Sequence, residues 1–127
     1  MQIEQLDAGE ELDWLVLHHV FDWKRGIAAF GESPYRCRGQ TFDALLPLST
    51  DLALAWRVLD LAVARNLRVT VTGAPVASAA GWEVRIAAPS GETAHAFGET
   101  VPVAICRAAL RAVEAALLVK SSGDTLN

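Results

Sequence analysis

Two short stretches of the chain alternate strictly between apolar and polar side chains, and this alternation constrains the fold more than any other feature. Residues 67–72 run Leu-Arg-Val-Thr-Val-Thr, and residues 82–86 run Trp-Glu-Val-Arg-Ile. Because successive side chains of a strand point to opposite faces, each stretch predicts a strand with one apolar face. A tight turn at residues 89–91 leads to a third, weaker strand around 93–97. We therefore expect three antiparallel strands.

Three segments with helical spacing surround these strands. The first, residues 10–23, has apolar side chains on two faces, so we expect both faces to make contacts. The second begins at residues 49–51, Ser-Thr-Asp, which suit the start of a helix. Its apolar stripe consists of Leu52, Trp56, Leu59 and Val63. The third starts at Thr100, and its many alanines permit close packing on the sheet.

The composition fits a single domain. The chain has 127 residues, of which 52% are apolar and 20% are charged, so it is long enough for one core and too short for two. We predict one domain over residues 1–127, with an α+β fold of order α-α-β-β-β-α and helices layered on an antiparallel three-stranded sheet. Residues 24–48 lack a steady period and predict a long surface loop, and residues 121–127 predict a frayed tail.

The charge balance argues against polyanionic partners. Fifteen acidic and eleven basic residues give a net charge of -4, which offers no general attraction to a phosphate backbone or an anionic lipid surface. Charged residues interrupt every apolar stretch well before the roughly 20 residues that span a bilayer. No basic segment followed by an apolar run opens the sequence. We therefore expect a cytoplasmic protein with no membrane partner.

Aromatic and basic residues of the first helix and the following loop form the predicted interaction surface. Large aromatic side chains and arginine dominate the binding energy of protein interfaces. The candidate residues are Trp14, Phe21, Trp23, Tyr35 and Arg36. We expect this surface to bind another protein or a second copy of the chain.

An alternative function is nucleic-acid binding. The order helix, three strands, helix over residues 49–120 is similar to the topology of double-stranded-RNA-binding domains. In those domains a lysine cluster at the start of the last helix grips phosphates, whereas residues 98–103 here contain no lysine and one acid. The basic side chains that remain for phosphate contacts are Lys24, Arg25, Arg36 and Arg38. Nucleic acid is therefore the weaker prediction.

A second alternative is a small enzyme or metal protein. His18 and Asp22 are four residues apart on one helix, and His95 lies in the third strand. Cys37 lies between two arginines, which would lower the pKa of an exposed thiol, whereas Cys106 falls on the packed face of the last helix. The sequence contains no motif typical of a phosphate loop, a dinucleotide-binding fold or a nucleophile elbow, and these residues do not have the spacing of a metal site. We therefore predict no enzyme, no cofactor and no bound metal.

Four segments resemble the phage ABA sandwich domain family, small proteins of bacteriophages and prophages. They are residues 11–16 (ELDWLV), 49–56 (STDLALAW), 81–84 (GWEV) and 104–110 (AICRAAL). The resemblance runs from about Glu11 to Glu114 and implies an α/β/α layered domain with no established molecular activity. The same residues have a physical interpretation, since Trp56 and Trp82 are large enough to join a helix to a sheet.

Overall fold

The computed structural model describes residues 2–25, 34–73 and 81–118. Within these ranges the chain forms three α-helices and six strands, preceded by one 3₁₀ turn at Ile3–Gln5. In chain order they are α1 (Glu10–Phe21), β1 (Lys24–Arg25), β2 (Tyr35–Cys37), β3 (Gln40–Phe42), α2 (Leu52–Ala64), β4 (Arg68–Gly73), β5 (Trp82–Ala87), β6 (Thr93–Gly98) and α3 (Val101–Glu114). The predicted mixed α+β fold is confirmed, with three further strands between the first two helices.

The main sheet has the strand order β4-β5-β6, with both pairs antiparallel. The register aligns the inward residues of the three strands in cross-strand rows, two of which consist of valine, isoleucine and alanine. These rows are Val71, Val84 and Ala96, and Val69, Ile86 and Ala94. In each row the residue on the central strand β5, Val84 or Ile86, is fully buried. The alternation in the sequence therefore predicted both the strands and the face that packs on the core.

Helix α3 lies at the centre of the molecule. It contacts β5 and β6, and it also contacts α1 and α2, so it lies between the main sheet and α1. Nine of its fourteen residues are buried, most of them small. Gly98 shows how closely α3 approaches the sheet, because a Cβ atom at that position would lie 2.6 Å from the backbone nitrogen of Ala104.

The face of the main sheet opposite α3 is open in the described part of the chain. Helices α2 and α3 pack against this sheet, and the outward residues on its other face are largely exposed. They are Arg68, Thr70, Thr72, Arg85, Thr93, His95 and Phe97. Helices thus layer on a three-stranded antiparallel sheet as predicted, but the described residues place them on one side of it rather than on both.

A second, smaller sheet corrects the prediction of a long loop over residues 24–48. Its strand order is β1-β2-β3, antiparallel throughout. Strands β2 and β3 are joined by Arg38 and Gly39, both with positive φ (53° and 82°), which is the backbone of a tight two-residue hairpin turn. The short strands lack a long alternating pattern, so periodicity alone did not find them. The predicted tail at 121–127 lies outside the described residues.

Candidate interaction surfaces

The five residues predicted as an interaction surface divide into buried and accessible members. Phe21 and Trp23 are each only 2% exposed, so their assignment to the surface was wrong. Trp23 stacks on Phe42 with ring centroids 4.3 Å apart. The small sheet therefore covers the second apolar face of α1 with the chain's own side chains. Trp14 and Tyr35 are half-buried.

Trp14 is the centre of an aromatic and cationic cluster on α1. Its ring stacks on His18 at 5.0 Å and lies 5.9 Å from the ring of Tyr35. The guanidinium carbon of Arg25 lies 4.3 Å from the Trp14 ring centroid, a cation–π distance. These contacts join α1 to β1 and β2 and engage Trp14 within the chain. Of the predicted five, Arg36 is the exposed member.

The structure does not gather the four predicted nucleic-acid contacts on one surface. Lys24 lies directly across from Arg36 and Arg25 across from Tyr35, so Lys24 and Arg36 project to one side of the ribbon and Arg25 to the other. Lys24 forms an ion pair with Asp22 at 3.1 Å. Arg38 lies in the hairpin turn. These positions split the positive charge among separate directions.

His18 and Asp22 both hold the end of α1. The His18 Nδ1 atom donates a hydrogen bond of 2.7 Å to the backbone carbonyl of Trp23, and Asp22 adopts the left-handed conformation (φ 62°) that ends the helix. Among the described residues, no three His, Cys, Asp or Glu side chains are grouped to hold a metal ion. The contacts of His18 stabilise the chain reversal between α1 and β1.

His95 lies on the open face of the main sheet. Its Nδ1 atom is 3.2 Å from Oε2 of Glu83, and the same oxygen is 3.3 Å from Nη2 of Arg85. Phe97 meets the His95 ring edge-on at 5.9 Å. This arrangement is a cross-strand charged cluster on a solvent-facing sheet surface. Its carboxylate comes from the neighbouring strand, a pairing that depends on the register.

Neither cysteine has the surroundings of a reactive thiol. Cys37 is buried, and its thiol donates to the backbone carbonyl of Phe21 at 3.4 Å. Burial raises the pKa of Cys37, so Cys37 is not the exposed thiol whose pKa the neighbouring arginines would lower. Cys106 is buried as predicted, and burial raises its pKa strongly. Both cysteines are free thiols.

Helix α2 presents the apolar surface that the sequence did not identify. Its buried side consists of Ala55, Val58, Leu59 and Ala62. The predicted stripe was therefore wrong for three of its four residues, which face solvent instead. Their exposed fractions are 49% for Leu52, 46% for Trp56 and 59% for Val63. We call Leu52, Trp56 and Val63 the α2 face.

Polar contacts fix the start of α2 and hence the orientation of the α2 face. Asp51, the last of the three residues predicted to start the helix, caps it by accepting a 3.0 Å hydrogen bond from the Leu54 N–H. Buried Ser49 instead donates its N–H to the Asp13 carboxylate at 2.7 Å. Burial raises the pKa of Asp13. These contacts tie α2 to α1.

Small and charged residues border the α2 face. Ala53 and Ala64 are exposed next to it. Arg57 and Asp60, also exposed, follow one another by three positions on the same flank of the helix. In the part of the chain that the structure describes, neither side chain forms an ion pair. The helix therefore carries an apolar stripe beside one positive and one negative charge.

Comparisons with known proteins identify the family and the fold. The family model of the phage ABA sandwich domain matches residues 14–110. The crystal structure of a phage protein from Bacillus cereus ATCC 14579 is similar over 84% of this chain and 95% of that chain, with a TM-score of 0.56 and 20% identity. A search of curated protein sequences finds no match. No helix among the described residues has the length and apolar character needed to cross a membrane.

Proposed function

This chain belongs to the phage ABA sandwich domain family, and we propose that it acts without catalysis, by binding another protein through the α2 face. The observation that carries the proposal is the exposure of Leu52, Trp56 and Val63 on one side of a single helix. Large apolar side chains that cluster on the surface of a folded domain are typical of interaction sites. Trp56 contributes the most, because tryptophan is enriched among residues that dominate binding energy.

The composition of α2 supports the same proposal. Its thirteen residues contain two charged side chains, Arg57 and Asp60. A helix that is apolar on most of its circumference is stable in water when most of its circumference is covered. The chain covers one side of α2 with α3 and β4. A partner protein that covers the α2 face would complete the burial.

Most of the other candidate groups support binding less well, since contacts within the chain engage them. Trp14 is stacked with His18 and Arg25, and the histidine and cysteine candidates each have a partner within the fold. We place the activity in the cytoplasm of the bacterial host, during phage growth or in the prophage state. The partner is then a phage protein, a host protein or the chain itself.

Site-specific photo-cross-linking in bacterial cells tests the proposal. The photoreactive residue p-benzoylphenylalanine replaces Val63, the most exposed member of the α2 face. The matched control carries the same residue at Phe97, which is 41% exposed on the main sheet. We expect a protein adduct from position 63 in clear excess over position 97, whether the adduct holds another protein or a second copy. Equal or absent adducts from position 63 would contradict the proposal.

A further inference from the structure

We infer that the occupant of the α2 face is a second copy of this chain, bound by antiparallel pairing of the two α2 helices about a two-fold axis. The inference rests on the proposed function and names its partner. Three features of α2 favour this pairing: the charges beside the α2 face, the position of its apolar residues along the helix, and the small residues on its flank.

In this arrangement the positive charge on α2 of each copy lies near the negative charge on α2 of the other copy. A two-fold axis perpendicular to the helix, at the level between Leu59 and Asp60, brings the same flank of both helices together. With a rise of 1.5 Å per residue, the Arg57 Cα atom then lies about 3 Å along the axis from the level of the partner's Asp60. Arg57 and Asp60 are exposed and form no ion pair within the described part of the chain. The symmetry generates this ion pair twice.

The same axis also matches the apolar residues. Trp56 and Val63 lie equally far from it on either side, so Trp56 of each copy reaches the level of the partner's Val63. Leu52 extends the contact at each end, and Ala53 and Ala64 leave room for the helices to approach closely. One axis position therefore satisfies the apolar contacts and the charge pairs together.

Self-pairing requires fewer matched features than binding of an unrelated protein. In a two-fold interface the same patch serves both partners, so each complementary feature needs to be present only once in the sequence. Helix α2 holds an apolar pair at equal distances from one point and an opposite-charge pair near the same point. These are the features that a self-complementary antiparallel helix pair needs.

Light scattering behind a size-exclusion column tests the inference, with the full chain loaded from about 1 μM to about 1 mM. We expect the mass to approach twice the 13.6 kDa of one chain as the concentration rises. Trp56→Lys should raise the dimer dissociation constant at least about 30-fold, the size of a hot-spot loss. The matched control is Trp82→Lys, the same change at a tryptophan 39% exposed on the main sheet, which should leave the constant unchanged.

Charge reversal tests the antiparallel geometry. Arg57→Glu and Asp60→Arg alone should each weaken the dimer by about tenfold or more, because each places like charges together twice. The double variant R57E/D60R exchanges the two signs and should restore dimerisation. Circular dichroism of each variant verifies that the monomer is folded. Single reversals without effect, or a double variant no better than the singles, would overturn the inference.

The outcomes separate the inference from the proposed function. A chain that stays monomeric at every concentration, or a dimer that Trp56→Lys does not weaken, overturns the inference of a second copy. If position 63 nevertheless cross-links to a different protein in cells, the proposed function stands with another partner. If position 63 gives no adduct and the chain is monomeric, both fail.

Discussion

Helices α2 and α3 are both rich in apolar residues, yet the fold uses them in opposite ways. Helix α3 is buried around most of its circumference, against β5 and β6 and against α1 and α2. Helix α2 is buried along one side only, and three of its large apolar side chains, those of the α2 face, are exposed. Apolar composition alone therefore does not indicate how much of a helix its own chain covers.

Side-chain size explains the difference. Alanines and Cys106 make up much of the buried surface of α3, so the sheet and α1 approach its axis from several directions. The buried side of α2 uses two alanines, Ala55 and Ala62, beside Val58 and Leu59, while Trp56, the largest side chain of the helix, is exposed. The chain therefore covers most of α3 by itself and leaves the α2 face exposed.

Truncating one large side chain on each helix should change the stability of the protein by very different amounts. Ile105 is fully buried in α3, so Ile105→Ala should lower the free energy of unfolding by about 2–5 kcal/mol. Leu52 is half exposed on α2, so Leu52→Ala should change it by less than about 0.5 kcal/mol in the monomer. Urea unfolding at low protein concentration measures both. Similar losses for both variants would contradict the comparison.

The close approach of α3 to the sheet predicts a smaller loss of stability when Gly98 is replaced. Gly98→Ala would place a Cβ atom 2.6 Å from the Ala104 nitrogen, so we expect a loss of about 1–3 kcal/mol from the forced backbone shift. Gly73 lies at the other end of the same cross-strand row, where an added Cβ meets Trp82 at an ordinary 3.7 Å. Gly73→Ala should be nearly neutral. The urea midpoints of the two variants would coincide if the approach were loose.

The smallest expected effect is a pH-dependent change in stability from Asp13, whose carboxylate accepts the hydrogen bond from the Ser49 N–H. Burial raises the pKa of Asp13 above its ordinary value of 3.8, so on raising the pH the unfolded state loses its proton first. Ionisation therefore favours the unfolded state, and the wild type should lose stability relative to Asp13→Asn as the pH rises above 3.8. The asparagine retains an acceptor for the Ser49 N–H. Unfolding free energies across pH 3–7 measure the difference, and a wild-type advantage that grows with pH would refute this account.

The main sheet and its covering helix were predictable because their patterns are unambiguous. The alternation around Val69, Val84 and Ala96 leaves one choice of buried face, and the structure uses it. Thr100 begins α3 as predicted, with its hydroxyl accepting from the Val103 N–H at 3.4 Å. In these elements each local preference agrees with the tertiary structure.

The α2 face was not predictable from spacing alone. The stripe of Leu52, Trp56, Leu59 and Val63 and the stripe of Ala55, Val58, Leu59 and Ala62 both have helical spacing. Only tertiary contact with α3 and β4 selects the second, because its small residues permit the close approach that a tryptophan would block. The available signal was that α2 has more apolar residues than one buried face can hold, which indicates that some of them are exposed.

The small sheet was missed for a different reason. Its strands span two or three residues, too short for an alternating pattern to stand out. The Arg38-Gly39 pair between Cys37 and Gln40 was the available signal, since glycine in a two-residue turn favours a hairpin. The burial of Phe21 and Trp23 depends on this hairpin, which is why both were assigned to the surface.

Directed disulfide cross-linking shows whether a second copy covers the α2 face in the antiparallel arrangement. Chains carrying Ala53→Cys are mixed with chains carrying Ala64→Cys and oxidised; both positions are exposed, and native Cys37 and Cys106 are buried. In the antiparallel pair, position 53 lies about 3 Å along the helix axis from the level of the partner's position 64, and the two copies of position 53 lie about 20 Å apart. We expect a disulfide between position 53 of one chain and position 64 of the other, and no disulfide between two copies of position 53. A 53–53 disulfide, or no cross-linked chain at all, would contradict this arrangement.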